Sequence, residues 1–156
     1  MHVCEAAAAL CPDLNVALTH HSLVSGGCLC FPVPREVCRQ IRAGALRYTD
    51  LRERHLIRRA AELPTASLII FSLMALHPRI FARLFVYLFE QLTRSVWSPE
   101  SYLAAYVTLP EDAALAQALE MTVCYEMAAE HGRYHSEFTP CLYAIRLPEL
   151  MQRFHA

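Results

Sequence analysis

The 156-residue chain contains no lysine, one asparagine (Asn15) and only four glycines. All 14 basic residues are arginine. Two accounts of the missing lysine stay open. Lysine and asparagine codons are AT-rich, so a GC-rich genome depletes both; selection against ubiquitin attachment removes the lysine amine. The two can coexist, as in a protein of a large GC-rich DNA virus, and neither specifies an activity. Four glycines are few for an enzyme that must bring backbone close to a ligand. The chain has no Gly-x-Ser-x-Gly elbow, no glycine-rich phosphate loop and no His-Glu-x-x-His pair. Seven cysteines and eight histidines guarantee chance pairs, but none is ordered as nucleophile and base. The expectation is a protein that is not an enzyme and carries no cofactor.

Charge is also scarce. Charged residues make up 19% and the formal net charge is -1, which argues against a nucleic-acid binder. A hydrophobic share of 55% excludes a disordered chain and fills one ordinary domain. The most apolar stretch, Ala66 to Leu92, is cut by His77-Pro78-Arg79. Each half is about ten residues, short of the ~20 a membrane helix needs, so no integral span is expected. No secretory leader is visible, so Cys4, Cys11, Cys28, Cys30, Cys38, Cys124 and Cys141 read as reduced, mostly buried thiols. A cytoplasmic protein follows, with the nucleus open and recruitment to mitochondria a further expectation.

What is present reads as helix. Residues 1–33 read as irregular or as short helices, Ala6 to Leu10 and Leu14 to Val24, the second stopped by Gly26-Gly27. Cys28 to Val33 reads as an extended connector and is the best strand candidate, without an obvious mate. After Pro34 the positions Val37, Ile41, Ala45 and Leu46 form a helical stripe, and Asp50 starts a segment ending near Leu63. Thr65 caps an apolar helix, Ala66 to Leu76; Pro78 breaks it and opens another, Arg79 to Trp97. A short helix follows at Glu100 to Thr108, then a long one from Pro110 to Glu130, and a last segment between Thr139 and Phe154, broken near Pro148. The expected fold class is all-α: a single helical domain over 1–156, an orthogonal bundle around the apolar hairpin at its centre.

Two constellations carry possible chemistry. Cys124, His131, His135 and Cys141 have zinc-ligand types, and the first three share a face on a continuous helix. Their spacing matches no standard zinc motif, and buried cysteines beside a polar turn explain them as well. Arg35, Arg39, Arg42, Arg47, Arg52, Arg54, Arg58 and Arg59 cluster in one segment. They suit an acidic partner, RNA or lipid headgroups, or simply a solvated face with internal ion pairs.

Three pieces, in order, resemble the B-cell-lymphoma (Bcl) family of apoptosis regulators, especially its divergent viral members. Val37-x3-Ile41-Arg42-Ala43-Gly44 is similar to the family's third homology motif, with Ala45 in place of Asp. Pro78-Arg79-Ile80-Phe81-Ala82, then Leu84-Phe85, is similar to the first; of the family's Asn-Trp-Gly-Arg only the Arg is kept. Glu130-His131-Gly132-Arg133-Tyr134, then Phe138, is similar to the second, with Tyr134 where the family has Trp. The resemblance implies a helical bundle whose groove receives an amphipathic helix from a pro-apoptotic partner. Arg79 would pair with an aspartate of that helix, and Ile41, Leu46, Leu56, Phe81, Ala82, Phe85 and Tyr134 would complete the groove. It implies a viral inhibitor of host cell death. A helical scaffold acting through a flat protein or homodimer surface is the alternative.

Overall fold

The computed structural model describes residues 2–126 and 139–155. It is an α/β fold, not a helical bundle. A six-stranded mixed sheet runs through it in the order β1-β2-β3-β4-β6-β5. The strands are β1 (Val16–His20), β2 (Leu23–Val33), β3 (Ser67–Ala75), β4 (Tyr102–Val107), β5 (Thr122–Glu126) and β6 (Cys141–Arg146). The helices are α1 (Val3–Leu10), α2 (Arg35–Arg42), α3 (Pro78–Thr93), α4 (Pro110–Ala118) and α5 (Leu147–His155). All neighbouring strands are antiparallel except β3 and β4, which run parallel and are joined by the α3 crossover. Among the described residues no helix is long and apolar enough to cross a membrane.

The expected all-α fold is therefore corrected, and the errors share a cause. Ala66 to Leu76 is not a helix but β3, a central strand. A strand covered on both faces reads as an unbroken apolar run, and periodicity cannot separate such a run from a buried helix. Glu100 to Thr108 is β4 for the same reason. Leu14 to Val24 divides into a 3-10 turn, β1 and the start of β2, and Cys28 to Val33 belongs to β2. Asp50 to Leu63 is largely 3-10 turns. The long helix expected from Pro110 stops at Ala118; Glu120 takes a left-handed φ of 54°, and the chain leaves as β5. Helices do form after Pro34, which is the N-cap of α2 and not part of its first turn, and from Pro78, which sits in the first turn of α3 and asks only for the φ it already has.

Strand alternation divides the core into two layers. Leu68, Leu103, Tyr143 and Ile145 face one way, against Leu88 and Leu92 of α3, Ala113 and Ala116 of α4 and Leu150 of α5. Ile69, Ala104, Leu142 and Ala144 face the other, against Ala7 of α1, Cys38 and Ile41 of α2, Leu51 and Leu56. Each fully buried leucine or isoleucine contributes about 1.5–3 kcal/mol.

The single asparagine ties the N-terminal segment to the sheet. β1 pairs with β2 only as far as Val16 and Cys28. Beyond that, the Asn15 side chain replaces the missing strand: its Oδ1 accepts the Cys30 N–H at 2.8 Å and its Nδ2 donates to the Cys30 carbonyl at 3.0 Å. The same Nδ2 donates to the Cys11 carbonyl at 3.1 Å. Asn15→Ala leaves the Cys30 amide without these partners and should lower unfolding free energy by about 2–3 kcal/mol, measured as a shift in urea midpoint at unchanged slope.

All seven cysteines are free thiols. Burial pushes Cys11 and Cys28 up to about 12, and Cys30 well above its ordinary value. The thiolate is the reactive form, and at pH 8 a thiol with that value is about one part in 10⁴ ionised. A maleimide at pH 8 should thus modify the partly exposed Cys4 and Cys124 in the native protein, while Cys11, Cys28 and Cys30 react only on unfolding. Mass mapping of labelled peptides reads the order.

Candidate active site

The parallel pair at the centre of the sheet is brief. β3 and β4 are in register at Leu68–Leu103, Ile69–Ala104 and Ile70–Ala105, and then part. Both strands continue, β3 to Ala75 and β4 to Val107, so the sheet opens between them. The cause lies on β3. Its partner β2 advances one residue, Leu29 to Cys30, while β3 advances two, Ser72 to Ile70, leaving Phe71 opposite nothing. This β-bulge bends β3 along β2 and away from β4. β4 keeps an unbroken register, with all six of its residues paired to β6.

The opening is a cleft of about 90 Å³. β3 lines it with Ile70, Phe71, Ser72 and Leu73, β4 with Ala105, Tyr106 and Val107, α3 with Phe81, Phe85 and Leu88, and α4 with Asp112, Leu115 and Leu119. Ile70, Leu73, Ala105 and Phe85 pack with the α3/α4 layer, while Tyr106 packs with the opposite one. The cleft therefore draws its walls from both faces of the sheet. On the α2 side it is framed by aromatics: Tyr48 lies 3.9 Å from Tyr106 and 5.4 Å from Phe71, ring centroid to centroid. Such ring pairs hold the divergent strands at a defined separation.

Among the described residues Asp112 is the only charged one in this lining. It sits in the first turn of α4, after Pro110 and Glu111, where a carboxylate complements the helix dipole. Burial nonetheless raises its pKa above the ordinary carboxylate value, and the negative Glu111 adds to the rise. Tyr106 is pushed up to about 12 by burial, against a hydrogen bond with the Tyr48 backbone that lowers it. At neutral pH the cleft thus holds a carboxylate with enhanced proton affinity and a neutral phenol. An arrangement of that kind can take up and give a proton beside an apolar ligand.

The residues singled out from the sequence are not united in one groove. Ile41 and Leu56 are buried and Leu46 is half-buried in the layer beneath α1 and α2. Phe81 and Phe85 lie across the sheet, in the cleft wall, and Arg79 and Ala82 point outward from α3, exposed. Tyr134, His131 and His135 lie outside the described residues. Cys124 and Cys141 stand on adjacent strands but on opposite faces: Cys124 is the bulged residue between Val123 and Tyr125 and packs beneath α2, whereas Cys141 packs in the α3 layer. Among the described residues no three histidine, cysteine, aspartate or glutamate side chains converge to hold a metal. In the arginine-rich segment Arg39 pairs with Glu36 at 2.8 Å, Arg59 pairs with Glu62 at 3.2 Å, Arg35 pairs with Glu100, and Arg42 lies 3.8 Å over the Tyr102 ring. Asp112, Tyr106 and Ser72 went unnoticed. Asp112 reads only as a helix-start acid, and Tyr106 acquires its meaning once β4 is known to be a strand.

No protein-family model matches the chain, and no curated protein matches it. Solved structures do. Naa50 of Arabidopsis thaliana, in complex with the bisubstrate analogue CoA-Ac-MVNAL, superposes with a TM-score of 0.51 at 8% identity, covering 85% of this chain and 72% of that one. FeeM, an N-acyl amino acid synthase from uncultured soil microbes, superposes with a TM-score of 0.53 at 11% identity, covering 88% and 74%. Both have the GNAT acetyltransferase fold, built on a mixed sheet. This likeness and the six-stranded sheet overturn the Bcl-family resemblance and the viral apoptosis inhibitor it implied. They equally overturn the helical scaffold and the expectation that the protein is not an enzyme. The chain has the GNAT fold.

Proposed function

We propose that the chain is an acyltransferase that moves an acyl group from a thioester to an amine in the β3–β4 cleft. The observation that carries this reading is the divergence of the parallel pair after Ile70 and Ala105. Divergence strips strand partners from the inner edges of β3 and β4, and backbone N–H and C=O groups must find others. An extended, amide-bearing thioester arm supplies them, entering as an added strand. Its acyl end then lies among Leu73, Phe85, Val107 and Leu115, walls that suit an apolar chain. Naa50, solved with a coenzyme A analogue, and FeeM, an N-acyl amino acid synthase, share the fold and support the class of reaction. Coenzyme A itself fits this chain in part: the cleft suits its thioester arm, but the turn after β3 does not suit its diphosphate.

The chain's own groups supply proton transfer. Asp112 accepts a proton from the amine as its nitrogen attacks the thioester carbonyl. A C–N bond forms, the C–S bond breaks, and the electron pair leaves on sulfur. The Tyr106 phenol gives the sulfur a proton, and the proton held by Asp112 returns to Tyr106 through solvent. The products are an amide and a thiol. A raised pKa suits Asp112 to this work, since a base is most effective when its value approaches the working pH.

Turnover is measured by thiol release from a panel of acyl thioesters with amino acids and short peptides as acceptors. No release across the panel overturns the reading. With an active pair, Asp112→Asn should lower kcat about 10²–10⁴-fold. The wild-type rate should rise with pH as the carboxylate ionises, through a value above the ordinary carboxylate range, and the variant should lose that limb.

Ala105→Phe fills the cleft where the strands part. It should abolish thioester binding at a stability cost of about 1–3 kcal/mol from overpacking, with the far-ultraviolet circular dichroism spectrum retained. Unchanged binding would place the ligand elsewhere.

A further inference from the structure

The turn that joins β3 to α3, at the mouth of the cleft, is Leu76-His77, and Pro78-Arg79 open the helix. Ligands in open α/β sheets lie at the carboxyl ends of the strands, so an anionic group trailing from the cleft would meet this turn and the start of α3. A diphosphate is usually held in such a place by a glycine-rich loop and free N–H groups at the helix N-terminus. Here the first residues of α3 offer few free donors. Pro78 has no N–H. The Arg79 N–H donates to His77 Nδ1 at 3.2 Å. The N–H groups of Ile80 and Phe81 both donate to the His77 carbonyl, at 2.9 and 3.0 Å, and that of Leu76 donates to the Ser25 carbonyl at 2.9 Å.

The surroundings are equally unsuited. The turn holds no glycine, and Gly26 of β2 lies against it so closely that an added Cβ would sit 3.1 Å from Ile80 Cγ2. The side chains at the rim are apolar: Leu76 is 83% and Met74 68% exposed. Among the described residues of the turn and the start of α3, Arg79 and Arg83 remain, both exposed. Exposed side chains of this kind attract an anion weakly and are screened by salt.

Resting on the acyl-transfer reading, we infer that the acyl donor is gripped by its thioester arm and acyl chain alone. A donor without a nucleotide, an acyl-pantetheine thioester, then serves this site as well as the corresponding acyl-coenzyme A. Specificity resides in the cleft walls and not in the adenosine diphosphate.

The test compares two probes that carry the same acyl group on a non-hydrolysable thioether: acyl-pantetheine and acyl-coenzyme A. Binding is measured by calorimetry at 0.15 M and 0.5 M salt, and turnover with the matching thioesters. Affinities within about fivefold of each other at both salt concentrations, as expected where only exposed arginines meet the phosphates, support the inference. A preference for acyl-coenzyme A above about a hundredfold, larger than exposed charges provide, overturns it while leaving acyl transfer standing. Binding of both probes alike without turnover supports it and removes acyl transfer instead; binding of neither overturns both. The double variant His77→Gly with Pro78→Gly frees the helix N-terminus and should raise affinity for acyl-coenzyme A at least tenfold without changing that for acyl-pantetheine. An equal gain for both probes counts against the assignment, and thermal unfolding confirms that the variant is folded.

Discussion

The structure depends on one extra residue in a central strand. Phe71 has no partner across β2, so β3 must bend there, and the bend falls where β3 and β4 stop pairing. A continuous sheet would bury both strands along their full length and leave no interior for a ligand. The bulge trades that pairing for a cleft whose walls come from both faces of the sheet. Everything assigned to the site follows: Tyr106 faces the opening because β4 continues past its last β3 partner, and Asp112 reaches it because α4 begins three residues after β4 ends.

A sheet opened at its centre must be held firmly in its two halves. β4, β6 and β5 form one half, with β6 buried along nearly its whole length. β2 and β3 form the core of the other, extended by β1 and completed at Cys30 by the Asn15 amide. The joint between halves is the short parallel pair, where Ser67 Oγ also accepts the Tyr102 N–H at 3.0 Å. Gly44, just after α2, shows how tightly the chain closes over the β4-β6-β5 half: its φ of 72° belongs to glycine, and a Cβ there would lie 2.5 Å from the Tyr125 ring of β5.

Three proline helix starts were legible in the sequence; the cap read at Thr65 was not a helix cap, and sheet membership was not legible. Pro34, Pro78 and Pro110 each mark a helix start that the structure contains, because proline's fixed φ and missing N–H act locally. The strands are decided by what covers them. Ser67 to Ala75 carries Ile69, Ile70 and Phe71, a β-branched and aromatic content that favours a strand, yet its apolar run also fits a buried helix. Misreading β3 as a helix displaced the rest: the cleft has no meaning without a parallel pair, and Asp112 then lacks a wall to belong to. Phe81 and Phe85 were noticed through a mistaken resemblance; they line the cleft because α3 must cover the strand it follows.

The turn at Pro78 is where helix capping meets the mouth of the cleft. A helix N-terminus has orphan donors that can be satisfied by a ligand or by the chain itself. Here the chain has taken the second course. His77 caps through its ring and its carbonyl, and Pro78 removes a donor that would otherwise need a partner. A cap of this sort stabilises a helix by about 1 kcal/mol, but it leaves few donors for an anion. The features that made Pro78-Arg79 conspicuous as a helix start are thus the ones that make it a poor phosphate cradle. Where the backbone is committed to its own helix, the grip on a ligand has to come from the divergent strands, and those offer amide edges and apolar walls rather than charge.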